Sequence, residues 1–161
     1  MSILFKFIKF RNFGFNVENI AKTDQQTLEN LIKPVGFYRT KAKHIIEASN
    51  MLIQENNGSV PENINQILKL PGVGKKIANI AMDVCFGKTI GIGVDVHVHR
   101  IANRLNWVTS STPEKTQEQL ERWLPQEYWR EINLMLVGFG QQVCLPIHPK
   151  CDECLNNKLC P

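Results

Sequence analysis

From Asn16 to Gly140 the apolar residues recur at steps of three and four, the spacing that gives a helix one buried face. Leu28, Leu31 and Ile32 form the first stripe, with Thr23-Asp24 as a capping start and Pro34 and Gly36 past its end; a short helix is predicted there. Ala42, Ile45, Ile46, Ser49 and Leu52 predict a longer one over Lys41 to Ile53, closed by Asn56-Asn57-Gly58. Pro61 stands where a first helical residue would, ahead of Ile64, Ile67 and Leu68 and a stop at Pro71. Gly72-Val73-Gly74 turns the chain into a helix over Lys75 to Cys85, closed by Gly87. Asp95 begins a helix reaching Trp107, and Thr112-Pro113-Glu114 begins another that carries Leu120, Trp123 and Leu124. Pro125 separates this from a last long helix with Ile132, Met135, Leu136 and Phe139. Alternation of period two shows only in Thr89 to Val94, where Gly91 and Gly93 weaken it. The predicted fold class is all-α.

The texture changes at both ends. Met1 to Phe15 is apolar and aromatic, carries Lys6, Lys9 and Arg11 and contains no acid. Its lysines break the apolar run, so neither a secretory core nor a membrane span fits. An acid-free basic segment suits a mitochondrial presequence, whereas scarce serine and weak amphipathicity suit a frayed end or a start placed inside a longer gene. After Gly140, prolines and four cysteines replace the helical period, as in a loop organised by a metal. The division expected is a lead over 1–15, a helical domain over 16–108, and C-terminal helices with the cysteine loop over 109–161.

Composition then narrows the class. A chain of 161 residues with 43% hydrophobic content has enough apolar surface for one core or two small subdomains. A net charge of +4 and a pI near 8.8 permit a polyanionic partner without demanding one. With no secretory signal, the five cysteines are expected in a reducing compartment, where metal binding is favoured over disulfides.

Cys144, Cys151, Cys154 and Cys160 follow the spacing C-x6-C-x2-C-x5-C. Four thiolates in one loop suit either a cubane iron–sulfur cluster or a tetrahedral zinc. The single C-x2-C pair and unequal outer spacings lean away from a zinc ribbon, which uses two such pairs. Cys85, on the apolar face of its helix, is expected to be a buried bystander.

Leu70-Pro71-Gly72-Val73-Gly74 joins two helices through a turn that needs glycine, and leaves backbone N–H groups at the second helix start. Those donors and the helix dipole suit a phosphate, and would grip a DNA backbone without reading bases. A plain helix corner is the other reading of the turn, and Lys75 and Lys76 directly after it weigh against that. Lys76 in the first turn opposes the helix dipole. That misfit, with partial burial beside Ile77 and Ile80, favours the uncharged amine, a nucleophile able to form a Schiff base with a sugar carbon. Asp95 is suited to cap its helix, which would keep the carboxylate ionised and fixed in direction, able to stabilise positive charge growing on a sugar. His97 and His99 stand two apart on a helix and diverge, which argues against a metal there.

The hairpin Leu-Pro-Gly-Val-Gly-Lys-Lys, the stretch Val-Asp-Val-His-Val-His-Arg-Ile-Ala-Asn-Arg-Leu and the ending Gly-Phe-Gly-Gln-Gln-Val-Cys-Leu-Pro-Ile-His-Pro-Lys-Cys, in that order, resemble the endonuclease III branch of the helix-hairpin-helix glycosylases, and most of all its eukaryotic members. The resemblance runs from about Gly14 to Pro161. It implies a helix-hairpin-helix fold with a C-terminal cluster loop. It also implies a Schiff-base lysine at Lys76, a catalytic aspartate at Asp95, and a hairpin contact with DNA through Leu70, Gly72, Val73, Gly74 and Lys75. Cys144, Cys151, Cys154 and Cys160 become ligands of a [4Fe-4S] cluster. The implied partner is duplex DNA holding an oxidised pyrimidine or an abasic site, with the damaged nucleotide turned out of the stack. Related adenine glycosylases lack lysine at the position of Lys76, so the resemblance favours an enzyme that both removes the base and cuts the strand. A monomer acting in the nucleus or mitochondrion is expected. Family members carry a further N-terminal region that supplies helices to both subdomains and a glutamine-containing loop. Those helices are expected to be missing here, with exposed apolar surface as the result. Two other classes stay open: a shortened, catalytically silent DNA-binding module that keeps hairpin and cluster, and a zinc-organised interaction domain.

Overall fold

A computed structural model of the chain describes residues 13–161, so most of the lead read over 1–15 lies outside the described residues. Among those described, all regular structure is helical. They fall into two compact units that part between Gly74 and Lys75.

The first unit is built on three helices. Asn16 caps α1 (Val17–Lys22) by accepting from the Asn19 amide, and Asp24 caps α2 (Gln25–Ile32) through Thr27. The long α3 (Tyr38–Asn56) starts after Phe37 and ends at Asn57, both in the left-handed region. It packs on α1 and α2 around Ile20, Leu28, Ile32 and Ala42, with Ile45 and Ile46 against them. Leu28 is wholly buried, a gain of about 2 kcal/mol. The next helix, α4 (Ile64–Ile67), is shorter than the sequence suggests, because Asn63 accepts from the Asn65 amide and starts it there. Pro61 is buried ahead of it instead of opening it.

The second unit holds α5 (Lys75–Phe86), α6 (Val96–Arg104), α7 (Pro113–Trp123) and α8 (Trp129–Gln142), followed by single 3-10 turns at Cys151–Glu153 and Asn157–Leu159. Val98, Ile101 and Ala102 of α6 pack against Leu120 of α7 and Ile132 and Leu136 of α8. Val108 lies inside this same core, so the division expected at 108/109 does not separate two bodies. Helix α6 stops short of Trp107. Asn106 turns left-handed and the Trp107 amide donates back to Ala102, a C-terminal closure usually made with glycine.

Thr89 to Val94 finds no partner strand among the described residues. Side chains satisfy its backbone instead. The Ile92 amide donates to Glu121 at 2.7 Å, the Ile92 carbonyl accepts from Asn79 at 3.3 Å, and the Gly93 carbonyl accepts from Asn133. This threads Ile92 and Val94 into the core as a single extended segment. No described helix is long and apolar enough to cross a membrane. Large apolar side chains stand exposed, Val84 on α5 and Leu134 and Met135 on α8 among them.

Candidate active site and cysteine loop

Asp95 begins α6 in extended conformation, and its Oδ1 accepts from the amides of His97 at 2.8 Å and Val98 at 3.0 Å. One carboxylate oxygen is thereby spent on the cap. The other, Oδ2, lies 3.0 Å from Lys76 Nζ. Two residues nineteen positions apart in the chain therefore meet as an ion pair. Burial pushes the Asp95 carboxyl up, but the Val98 N–H, the Lys76 ammonium and the His97 N–H together outweigh it, and the group stays below the usual carboxylate range.

Lys76 lies in the first turn of α5, as expected, but its surroundings differ from the sequence reading. Ile77 and Ile80 are 50% and 38% exposed and do not enclose it. Its stem instead runs over Gly93, where a Cβ would sit 3.7 Å from Lys76 Cγ and 3.2 Å from Ile80 Cγ1. Its side chain is 37% exposed, so the amine is shielded on the Asp95 side and open on another.

Of the hairpin residues in the first unit, Leu70 is buried, Val73 half-buried, and Gly72 and Gly74 exposed, with the Val73 amide donating to the Leu70 carbonyl. Gly72 has φ +76°, and a Cβ there would meet His44 Nδ1 at 2.6 Å. Strain and clash act together, so Gly72→Ala is expected to lower stability by about 1–3 kcal/mol, read by denaturant melting. His44→Ala in the same chain should restore only the part due to the clash.

An exposed aromatic was missed in the sequence. Phe37, in the left-handed region and 86% exposed, directly precedes α3, and Arg39, Lys41 and Lys43 follow it. A ring facing solvent beside basic side chains suits stacking on a nucleobase. The signal was the aromatic pair Phe37-Tyr38 after Gly36 in a basic stretch, which the sequence analysis passed over between one helix and the next.

The four tail cysteines come together. Cys144, Cys151, Cys154 and Cys160 line one cavity of about 220 Å³ with Arg104 at its wall. Arg104 donates to Cys144 Sγ at 3.4 Å and to the carbonyls of Leu145 and Pro146 at 2.6 and 2.9 Å. Arg100 donates to the carbonyls of Gly140 and Cys144, and its Nε is buried without a partner. Among the described residues no three His, Cys, Asp or Glu side chains converge as ligands of one ion. Sulfurs ringing a shared cavity, with guanidinium donors at its edge, fit a polynuclear anionic group spread over all four. Arg104 ends the helix that Asp95 begins, about 13 Å along the axis. The loop is thus joined to the ion pair by a rigid element without touching it.

Of three further residues singled out in the sequence, Cys85 lies otherwise than expected, while His97 and His99 diverge as expected. Cys85 is exposed, because its side of α5 meets no neighbour that buries it. His97 turns toward Arg100, while His99 bonds Thr116 across to α7 at 2.6 Å.

Residues 4–126 match the HhH-GPD superfamily base excision DNA repair protein family. That match starts inside the segment 1–15 read as unmatched, which corrects the reading from residue 4 onward. The chain is 51% identical to mouse Endonuclease III-like protein 1 over 155 residues, covering 95% of this chain and 52% of that protein. Against Thermotoga maritima Endonuclease III it is 46% identical over 143 residues, 89% of this chain and 67% of that protein. A solved endonuclease III trapped as a covalent intermediate with DNA superposes with a TM-score of 0.87 at 31% identity, covering 96% of this chain and 73% of that one. The chain spans about half the length of its mouse relative. The helical architecture, the hairpin and these matches agree, and the chain belongs to the endonuclease III family of the HhH-GPD superfamily, in its eukaryotic branch.

Proposed function

We propose that this chain is a bifunctional DNA glycosylase and abasic-site lyase, which removes oxidised pyrimidines from duplex DNA and cuts the strand on the 3′ side. The observation that carries this reading is the Lys76–Asp95 pair at 3.0 Å: a primary amine with a proton acceptor in contact, one side of it open. An ammonium is not a nucleophile, so Lys76 first gives a proton to Asp95 Oδ2. Nζ then bonds to C1′ as the C1′–N bond breaks, and the base leaves with that electron pair and takes up a proton. The nitrogen is left as an iminium on the opened sugar. Loss of a C2′ proton then expels the 3′ phosphate oxygen, and water frees Lys76. Asp95 passes the proton it took from Lys76 to the departing base and, ionised again and fixed by two amides, stabilises the positive charge on the iminium that remains.

The segment Leu70, Gly72, Val73, Gly74 and Lys75 holds the DNA backbone through amide donors and charge. Cys144, Cys151, Cys154 and Cys160 hold a [4Fe-4S] cluster, which supplies the bonding that fixes the C-terminal loop. The enzyme works as a monomer in the nucleus or mitochondrion.

Borohydride trapping on a thymine-glycol duplex tests the reaction: a covalent protein–DNA adduct is expected, and its absence with folded protein would overturn the reading. For the loop, the purified protein should be brown, with about four irons per chain. Colourless protein that carries zinc instead would remove the cluster from this account. Cys154→Ala should bleach it and lower the melting temperature of the second unit.

A further inference from the structure

Lys76 and Asp95 meet along one seam of the second unit. Lys76, Asn79 and Ile80 share a face of α5, and the extended segment 91–95 runs along it. Gly91 and Gly93 are the residues turned toward that face. A Cβ on Gly91 would come within 2.7 Å of Asn79 Nδ2, and one on Gly93 within 3.2 Å of Ile80 Cγ1. The missing side chains allow this approach but supply nothing that holds it. We propose that Glu121 on α7, seconded by Asn133 on α8, is a positioning residue that keeps the segment at the depth where Asp95 meets Lys76.

Three features support this. The first is where the tethers attach. The Ile92 amide donates to Glu121 Oε1 at 2.7 Å, and the Gly93 carbonyl accepts from Asn133. These anchors act just ahead of Asp95, and one of them holds the glycine on which the Lys76 stem packs. The second is that the Ile92 amide depends on Glu121. Ile92 is wholly buried, and the segment pairs with no strand among the described residues, so without the carboxylate this N–H would lose its partner away from water. The third is that Glu121 is itself aimed. Gln117, one turn earlier on α7, donates to the same Oε1 at 2.8 Å, and hydrogen bonds to a carboxylate are the short, strong kind. Asn79 grips the Ile92 carbonyl at the longer distance of 3.3 Å, a weaker hold. Glu121 thus acts on the reaction through the backbone it fixes, from a helix that carries neither reacting group.

The inference rests on the lyase reading above, and the experiment separates the two. Cutting of a duplex with a pre-formed abasic site is measured for Glu121→Leu and Glu121→Gln, each alone and combined with Asp95→Asn. Glu121→Leu should lower kcat about 10–100-fold while KM stays within a few-fold of wild type. Glu121→Gln, whose side-chain carbonyl still accepts from the Ile92 amide, should recover most of that loss. Combined with Asp95→Asn, Glu121→Leu should cost less than about threefold further, because the group it positions is already gone. A residue that only supports the fold would cost the same factor in both backgrounds. That outcome, or a Glu121→Leu kcat equal to wild type, would overturn this inference and leave the lyase reading standing. Should Glu121→Leu melt below the assay temperature, Asn133→Ala is carried through the same cycle and judged by the same outcomes. A wild-type chain that cuts no abasic duplex would sink the lyase reading, and melting temperatures then decide the positioning: Asp95→Asn should shift the melt less beside Glu121→Leu than in wild type, and equal shifts would overturn it.

Discussion

Lys76→Gln is expected to abolish the borohydride-trapped adduct and to slow strand cutting on the order of 10⁴-fold or more. The amine is the group that bonds to C1′ in the proposed reaction, and an amide of similar length cannot replace it. Nothing about the fold should change much, since Lys76 is partly exposed and its stem packs on Gly93. Duplex binding should stay within a few-fold of wild type, because the proposed grip on the backbone uses amide groups of the hairpin. An undiminished adduct in the variant would assign the chemistry to another nucleophile. Lost binding together with lost cutting would assign Lys76 to the DNA interface instead.

Asp95→Asn should lower kcat by about 10²–10⁴-fold, the range for a missing general base or acid. The substitution separates chemistry from architecture, because asparagine caps a helix as well as aspartate does, while Asp95→Ala should cost about 1 kcal/mol more in folding. The pH dependence of stability gives a second check. The folded carboxyl binds its proton less readily than an unfolded one, since the Val98 and His97 amides and Lys76 outweigh burial. Its contribution is therefore complete above the unfolded value of about 3.9 and fades as pH falls through the lower folded value. Melting temperature followed down through that acid window should drop less steeply in Asp95→Asn than in wild type. Parallel curves would mean that Lys76 and the amides hold Asp95 no more tightly than water does.

Much of the molecule was legible before any contact was known. Seven of the helices lie where periodicity, Asp24, Asp95, Thr112 and Gly87 put them, give or take a turn; the lysine, the aspartate and the cysteine spacing could be read off directly. Helix stripes, caps and glycine turns depend on residues three or four apart, so the information sits within each segment. The departures are also instructive. Thr89 to Val94 looked like a weak strand because alternation reports a half-buried extended chain, and it is one, but Glu121, Asn79 and Asn133 stand in for a neighbouring strand. Cys85 looked buried because its helix face is apolar, yet Val84 beside it is exposed too.

By itself the sequence determined the helical class, the family and the residue types able to do the chemistry, since each is written in local spacing or in motif. Only the tertiary structure decided that Asp95 reaches Lys76 from across a glycine-bearing loop, that Gly93 and not Ile77 shelters the lysine stem, and that Arg104 ties the cysteine loop to the far end of the Asp95 helix. Such pairings join residues far apart in the chain. Their distances follow from how the helices pack around Val98, Ile101 and Leu136, and no single segment encodes that.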